Sequence, residues 1–292
     1  MSQTFAAAVC ALVAALLFAC ASVAQQSAAA KVPEGDALMS TLLRSPRWWA
    51  GVVGDGGGYL MQVVALSLGS VLLVQPLLVS ALLFALPISA KLGARRLSRR
   101  TWVLAVGLTL SLAVFLVVGD PSEGNIDAPL EEWFVPISVV VAVVIVCVGI
   151  GLTRIVAGWR ALALGAASGI CYGVAVAFTK YVVELFSHDV GAVVTSWQTW
   201  GLLAAGVVGV YLQQRAFQVG PLSASLPALT IGEPIAAVYL GITVLDERVR
   251  AEGLGFVLVC CAIVVMLLTT IGLSRSQAGR EAPAPPAAPV PS

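Results

Sequence analysis

The residues best suited to chemistry in this sequence are a glutamate and the proline after it, in the stretch ALTIGEPIAAVYLG, and Glu233 is the only charged residue from position 216 to position 245. A carboxylate at the centre of an apolar span costs about 3 kcal/mol to insert, and such acids usually face a cavity that carries an ion or a proton. Pro234 has no N–H, so a carbonyl one turn earlier is free to bind a cation or a substrate. Thr230 shares a helical face with Glu233 and would line the same cavity. A protonated glutamate that serves only packing between helices is the alternative.

A second polar group lies in GDGGGYLMQ, where the spacing of Asp55, Tyr59 and Gln62 puts all three side chains on one face of a helix. The neighbouring glycines permit close helix packing or local unwinding, so this group indicates either a cavity lining or a packing seam. Two further polar stripes leave the same alternatives open. They are Thr195, Thr199, Gly206, Gly209 and Gln213, continued by Gln214, and Ser168, Tyr172 and Thr179.

The composition places these residues in a membrane. Of the 292 residues, 59% are hydrophobic and only 11% are charged, and the mean hydropathy is +0.98. A soluble protein of this size needs about a quarter charged residues to cover its surface. The net charge of +1, without a basic stripe, argues against a nucleic-acid partner. The sequence contains no nucleophile motif, histidine cluster or paired carboxylates with a partner base, so we expect no enzyme activity, no cofactor and no bound metal.

Apolar segments of about 20 residues, the length that crosses a bilayer, predict nine membrane spans. The block from residue 49 to residue 91 is too long for one crossing, and the helix breakers Gly69, Ser70 and Pro76 mark the stretch where it turns. The predicted fold is therefore an all-α polytopic membrane helix bundle. Its spans are 5–24, 49–69, 71–91, 102–119, 133–153, 161–183, 191–213, 222–244 and 253–273.

The distribution of charge predicts the orientation of this bundle. With the N-terminus outside, 13 of the 16 lysines and arginines fall on the inside, as the positive-inside rule requires, and the outside loop GDPSEGNIDAPLEEW holds five carboxylates and no base. Lys180 and Glu184, four residues apart near the outside, are expected to form a surface ion pair. We therefore expect a multi-pass protein of a bacterial-type plasma membrane with a cytoplasmic C-terminus. Cleavage of the first span after Ala24 as a signal peptide is the alternative to its retention.

Two parts of the chain resemble each other at a constant offset of 151 residues. The matches are Trp49 with Trp200, Gln62 with Gln213, Ala65 with Ala216, Gly69 with Gly220, Pro76 with Pro227, and Ala85 with Ala236. An odd number of crossings separates the matched spans, so they enter the membrane from opposite faces, as in the inverted repeats of secondary transporters. The predicted organisation is a first four-helix repeat (1–119), an acidic outside loop with a linker span (120–160), a second, inverted four-helix repeat (161–273) and a disordered Pro/Ala-rich cytoplasmic tail (274–292).

The nine-span order, WWAG at the start of a span, the helix pair that closes on VQP, and YLQQRAFQVGPLSASLPALTIGEP together resemble the drug/metabolite transporter superfamily. The layout is most similar to EamA-like bacterial permeases and NIPA-type magnesium transporters. The resemblance implies a polytopic carrier that moves small solutes or ions across the membrane. In the magnesium branch a glutamate stands at the position of Tyr59 and an asparagine at the position of Gln62.

These observations predict a transporter that moves a small metabolite or drug by alternating access, with proton-coupled export as one form. Its substrate or ion path would contain Glu233, Pro234, Thr230, Asp55, Tyr59, Gln62, Gln213 and Gln214. A NIPA-like transporter of magnesium or another divalent cation, with Asp55 and Glu233 as oxygen ligands, is the second hypothesis. A membrane scaffold or assembly factor without transport is the third. The expected partners are a small molecule or an ion and the lipid bilayer, and a homodimer stays open.

Overall fold

The computed structural model describes residues 2–29, 43–93, 98–122, 124, 129–188 and 190–281, and nearly all of them are helical. In chain order the helices are α1 (Ser2–Ala29), α2 (Pro46–Leu68), α3 (Val71–Val79), α4 (Ala81–Gly93), α5 (Arg99–Gly119), α6 (Leu130–Leu152), α7 (Ala157–His188), α8 (Val190–Thr195), α9 (Trp197–Val219), α10 (Leu222–Thr243) and α11 (Leu254–Glu281). Two short strands, β1 (Pro121–Ser122) and β2 (Arg248–Val249), pair antiparallel and join two loops at one end of the bundle. They are a small addition to the predicted all-α fold.

Within the described part of the chain, seven helical segments are long and apolar enough to cross a membrane. They are Gln3–Gln25, Val71–Lys91, Arg99–Gly119, Glu131–Leu152, Ala157–Phe186, Ser223–Thr243 and Leu254–Ser276. These segments make the chain an all-α polytopic membrane protein. Two further helices of similar length, α2 and α9, are less apolar because α2 carries Asp55 within a run of glycines and α9 carries Gln213, Gln214 and Arg215. The count of nine spans therefore stays a prediction.

The chain turns between α2 and α3 at Gly69 and Ser70, as the sequence predicts, whereas the third predicted helix breaker, Pro76, lies inside α3. Gly69 is fully extended, with φ −158° and ψ 171°. The Ser70 side chain then accepts a hydrogen bond from the Leu73 N–H at 3.1 Å, which satisfies one of the N–H groups that a helix start leaves without a partner. Both arms of this hairpin pack on α1.

Three predicted boundaries are wrong. The predicted span 191–213 is broken at Ser196, whose side chain caps α9, and α9 continues to Val219. Thr195 therefore lies in the short helix α8 and leaves the polar stripe of α9. At the other boundary α11 continues to Glu281, past the predicted start of the tail at residue 274, while residues 282–292 lie outside the described residues. At the ends of α9 and α11 the helix extends beyond its apolar stretch because polar residues such as Gln and Arg are good helix formers.

Helix α7 packs against α10 through three glycines spaced four residues apart, Gly165, Gly169 and Gly173. A Cβ atom on Gly165 would lie 2.6 Å from the Ser225 carbonyl oxygen, and one on Gly173 would meet the Glu233 carbonyl oxygen still more closely. Small residues at this spacing let the backbones of two membrane helices touch. We call this contact the glycine seam, and it fixes the position of Glu233 against α7.

The helices α2 and α9 are built alike, and their bounds differ by 151 residues at both ends. Ser45 caps α2 and Ser196 caps α9, and each hydroxyl accepts a hydrogen bond at 3.4 Å from the N–H three residues later. The indole N–H of Trp49 donates to the carbonyl six residues earlier, and the indole N–H of Trp200 does the same. The sequence repeat therefore extends to matching hydrogen bonds.

These two helices run in opposite directions along α7. Helix α2 ends at Gly69, whose carbonyl oxygen accepts a hydrogen bond from Lys180 in the last third of α7. Helix α9 ends at Gly220, which lies against Ala157 at the start of α7. Because α7 is one continuous helix, the C-terminal ends of α2 and α9 lie towards opposite ends of the bundle.

Candidate functional site

Glu233 lies in the middle of α10, between the glycine seam of α7 and the hairpin helix α3. Ala237 and Leu240, which follow on the same face of α10, are fully buried in the apolar cluster that also contains Val74 of α3. The Glu233 backbone carbonyl lies against Gly173 of α7. The Glu233 side chain therefore projects from a face of α10 that packs on other helices.

The Glu233 carboxylate of α10, the Tyr172 hydroxyl of α7 and the Gln213 amide of α9 form a row of polar groups. We call this row the polar line. The carboxylate is partly accessible, and no hydrogen bond or ion pair reaches it from the described residues. It lies close enough to the Tyr172 hydroxyl of α7 for an electrostatic interaction. Tyr172 in turn donates a 2.6 Å hydrogen bond to Gln213 Oε1 of α9, and Ser168 Oγ fixes the same two helices by donating to the Gly209 carbonyl at 2.8 Å.

A buried amide without a partner lies on the neighbouring helix α3. Gln75 is fully buried, and no residue that the structure describes accepts a hydrogen bond from its Nε2. Gly241 of α10 lies against Leu72, one turn before Gln75 on α3, so Gln75 belongs to a helix that packs on α10. A buried donor without a partner costs about 1–3 kcal/mol. A polar solute or water beside Gln75 would therefore be stabilised by this amide.

The predicted site residues of α2 have partners outside the polar line. Asp55 accepts a 2.6 Å hydrogen bond from Gln25 Nε2 of α1. The Tyr59 hydroxyl lies 3.0 Å from Thr179 Oγ1 of α7. Gln62 is buried. The side chains that share one face by spacing thus contact different neighbours, because α2 packs on both α1 and α7.

The remaining predicted residues flank the polar line without extending it. Thr230 Oγ1 donates to the Leu226 carbonyl of its own helix at 2.8 Å. Pro234 lies within α10, which continues through it without a break. Gln214 is exposed, so of the two adjacent glutamines only Gln213 reaches the polar line.

Lys180 binds the end of α2 at the break between α2 and α3. The sequence predicts a surface position for Lys180, and that prediction is wrong, since Lys180 is only 4% exposed. Its Nζ donates to the carbonyl oxygens of Leu66 at 2.7 Å and Gly69 at 2.8 Å. The last carbonyls of a helix have no helical donor and carry a partial negative charge, so a buried ammonium group is stabilised there.

The other side of the break is closed by a glutamate that the sequence analysis does not single out. Glu247 is only 1% exposed. Its Oε1 accepts the Val71 N–H at 2.7 Å and its Oε2 accepts the Leu72 N–H at 2.9 Å. Its own N–H donates to the Gly241 carbonyl at 3.0 Å. The only sequence signal for this role is the helix break itself, whose N–H groups need an acceptor.

Two cavities lie away from Glu233. One of about 350 Å³ lies between α4 and α5 and is lined mainly by apolar residues. The other, of about 70 Å³, lies between α6, α7 and α9 and is lined in part by Arg160 and Arg215. In the part of the chain that the structure describes, no group of three or more His, Cys, Asp or Glu residues could hold a metal ion.

Comparison with known proteins gives one relative of near-full length. No family model and no solved structure matches the chain. The uncharacterized protein Cgl0250/cg0304 of Corynebacterium glutamicum is 34% identical to it over 281 residues. The alignment covers 94% of this chain and 97% of that protein, so the likeness includes nearly all of both.

Proposed function

This chain belongs to the same family as that corynebacterial protein, and we propose that it is an integral membrane transporter of the drug/metabolite transporter type. It moves a small metabolite or drug by alternating access between two inverted halves, residues 1–119 and 161–273, joined by α6 as a linker span. With α2 and α9 counted as spans, the chain crosses the membrane nine times. The polar line of the second half and Gln75 of the first half form the substrate path.

The observation that carries this proposal is the likeness of α2 and α9. They have the same bounds at an offset of 151 residues and run in opposite directions along α7. Two copies of one unit, inserted with opposite topology, can exchange conformations about a central site, which is the basis of alternating access in many transporters. A scaffold has no need of such symmetry.

Glu233 is the group that couples transport to protons or binds a cationic substrate. Intramembrane carboxylates at helix interfaces usually mark ion or proton paths. The absence of an ion pair to Glu233 within the described residues leaves its carboxylate available to a ligand. Tyr172 and Gln75 supply neutral hydrogen-bonding groups on the adjacent helices, so the site suits a solute with both a polar group and a positive charge or an exchangeable proton.

Lys180 and Glu247 form the closure at one end of this path. Both belong to the second half, and both bind the hairpin turn of the first half through backbone hydrogen bonds. Opening the path at that end requires these bonds to break. By the positive-inside rule, the basic residues of the opposite end favour a closed end that faces outside, and we infer a plasma membrane with the N-terminus outside and the C-terminus in the cytoplasm.

A transport assay with Glu233→Gln tests the proposal. The protein is reconstituted into liposomes with a pH-sensitive dye inside and an imposed pH gradient, and amino acids, nucleosides and cationic drugs are added in turn. We expect wild-type protein to couple proton movement to at least one class, and Glu233→Gln to lose gradient-driven accumulation while exchange continues. Glu252→Gln, at an exposed acid beyond α10, is the matched control and should behave as wild type.

Three outcomes distinguish the alternatives. Accumulation by Glu233→Gln equal to wild type excludes the coupling role of Glu233. Movement of Mg²⁺ in place of every organic solute favours the divalent-cation hypothesis, for which the structure offers no cluster of acidic ligands in its described part. Movement of no solute, with cell growth unaffected by Glu233→Leu, favours a scaffold.

A further inference from the structure

A groove with two arginines lies between α6, α7 and α9, at the end of the bundle where α6 ends and α7 begins. Its volume is about 70 Å³. Arg160 and Arg215 line it together with Leu152, Leu164 and Leu212, one leucine from each of the three helices. The groove therefore combines a cationic part with an apolar wall, and it is separate from the polar line.

The positive charge of this groove is not compensated nearby. The sequence has no acid from position 133 to position 183, nor from position 190 to position 232. Arg160 Nε donates to the Gly151 carbonyl at 3.0 Å, and Arg215 Nη1 donates to the Gln218 amide oxygen at 3.4 Å. Neither arginine forms a salt bridge with a described residue. Guanidinium groups without a carboxylate are free to bind an anion.

The surface beside the groove has the composition of a membrane interface. Val156, in the connection from α6 to α7, is 72% exposed, and Trp159, in the first turn of α7, is 64% exposed. Arg154 lies in the same connection and is also exposed. Tryptophan next to basic residues is typical of the level of the lipid headgroups, where the ring contacts acyl chains and the cations contact phosphate.

We propose that this groove binds an anionic phospholipid, with its phosphate between Arg160 and Arg215 and an acyl chain against Leu152 and Leu164. A guanidinium group can donate two parallel hydrogen bonds to phosphate oxygens, which gives the contact geometry as well as charge. The site holds α6, α7 and α9 together on their outer surface. It does not depend on whether the protein transports a solute.

Native mass spectrometry of the purified protein tests this site. Phosphatidylglycerol and phosphatidylcholine with identical acyl chains are titrated separately, and the fraction of protein with one bound lipid is measured. We expect wild-type protein to prefer phosphatidylglycerol, and Arg160→Gln and Arg215→Gln each to weaken that binding about fivefold, which corresponds to roughly 1 kcal/mol for one basic residue at an anionic surface. Arg215→Lys should recover part of the loss.

The matched control is Arg275→Gln, which removes an exposed arginine from α11, and it should leave phosphatidylglycerol binding unchanged. Arg215 is exposed, so Arg215→Gln should fold normally, and its thermal unfolding without lipid verifies this. Equal binding of the two lipids, or full binding of phosphatidylglycerol by the double variant, overturns the proposal. Competition by millimolar inorganic phosphate at the same site assigns the groove to free phosphate instead.

Discussion

Lys180 and Glu247 cap the two sides of one helix break, with the cation at the C-terminal end of α2 and the anion at the N-terminal start of α3. This is the arrangement that two helix dipoles favour, because the carbonyl end of a helix is partly negative and the N–H end is partly positive. Both charges are buried, and both come from residues distant in sequence. The turn at Gly69 therefore depends on α7 and on the loop after α10 for its hydrogen bonds.

Glu247→Gln should destabilise the protein by about 1–3 kcal/mol. The amide offers one oxygen to two N–H groups and turns its own NH₂ towards a donor, so one buried backbone N–H loses its acceptor. Unfolding by sodium dodecyl sulfate in mixed micelles, followed by tryptophan fluorescence, measures the change. Glu252→Gln is the control, since Glu252 is exposed, and it should lie within about 0.5 kcal/mol of wild type. Equal stability of the two variants contradicts the capping role.

Gly169→Ala adds only one methyl group but should lower the stability of the protein strongly. An added Cβ would lie 3.0 Å from the Glu233 backbone nitrogen and closer still to the Leu229 carbonyl oxygen, so α7 and α10 would have to separate. We expect a loss of about 2–3 kcal/mol, in the range of an overpacked core. The same unfolding assay applies.

Gly206→Ala is the matched substitution on α9. A Cβ atom there meets nothing within 4 Å, so the higher helix propensity of alanine should leave stability unchanged or raise it by up to about 1 kcal/mol. If both glycine variants change stability by the same amount, the seam has no special role.

Some of these features arise from neighbouring residues in the sequence, and others arise only from contacts between distant helices. The turn at Gly69 and Ser70 and the apolar helices follow from nearby residues, so the sequence predicts them. The serine caps of α2 and α9 are also local, but the predicted span 191–213 runs through Ser196. The roles of Lys180 and Glu247 arise only when α7 and the loop after α10 meet the hairpin, and no local pattern encodes that contact. The spacing of Asp55 and Tyr59 puts them on one face of α2. Because α2 lies between α1 and α7, however, the two side chains have different partners.

The two capping serines offer a test of the repeat. Ser45→Ala and Ser196→Ala each remove a hydroxyl that accepts a helix N–H at 3.4 Å, and each should lower stability by about 1 kcal/mol. Ser67→Ala is the control, because Ser67 is exposed and its hydroxyl bonds only to the Val64 carbonyl of its own helix. A loss at one serine without the other would argue that α2 and α9 are not equivalent units.

Tyr172→Phe distinguishes a role of the Tyr172 hydroxyl in solute movement from a role of the ring in packing of α7 on α9. The phenylalanine keeps the ring against Gly209 but removes the hydroxyl that donates to Gln213 at 2.6 Å and that lies near Glu233. We expect a stability loss of about 1 kcal/mol, the net value of one hydrogen bond, and a larger effect on solute movement in liposomes because Glu233 loses its polar neighbour. Tyr211→Phe on the exposed side of α9 is the control and should change neither quantity. Full transport by Tyr172→Phe, with only the stability lowered, would assign Tyr172 to packing of α7 on α9 and leave Glu233 without a partner in the path.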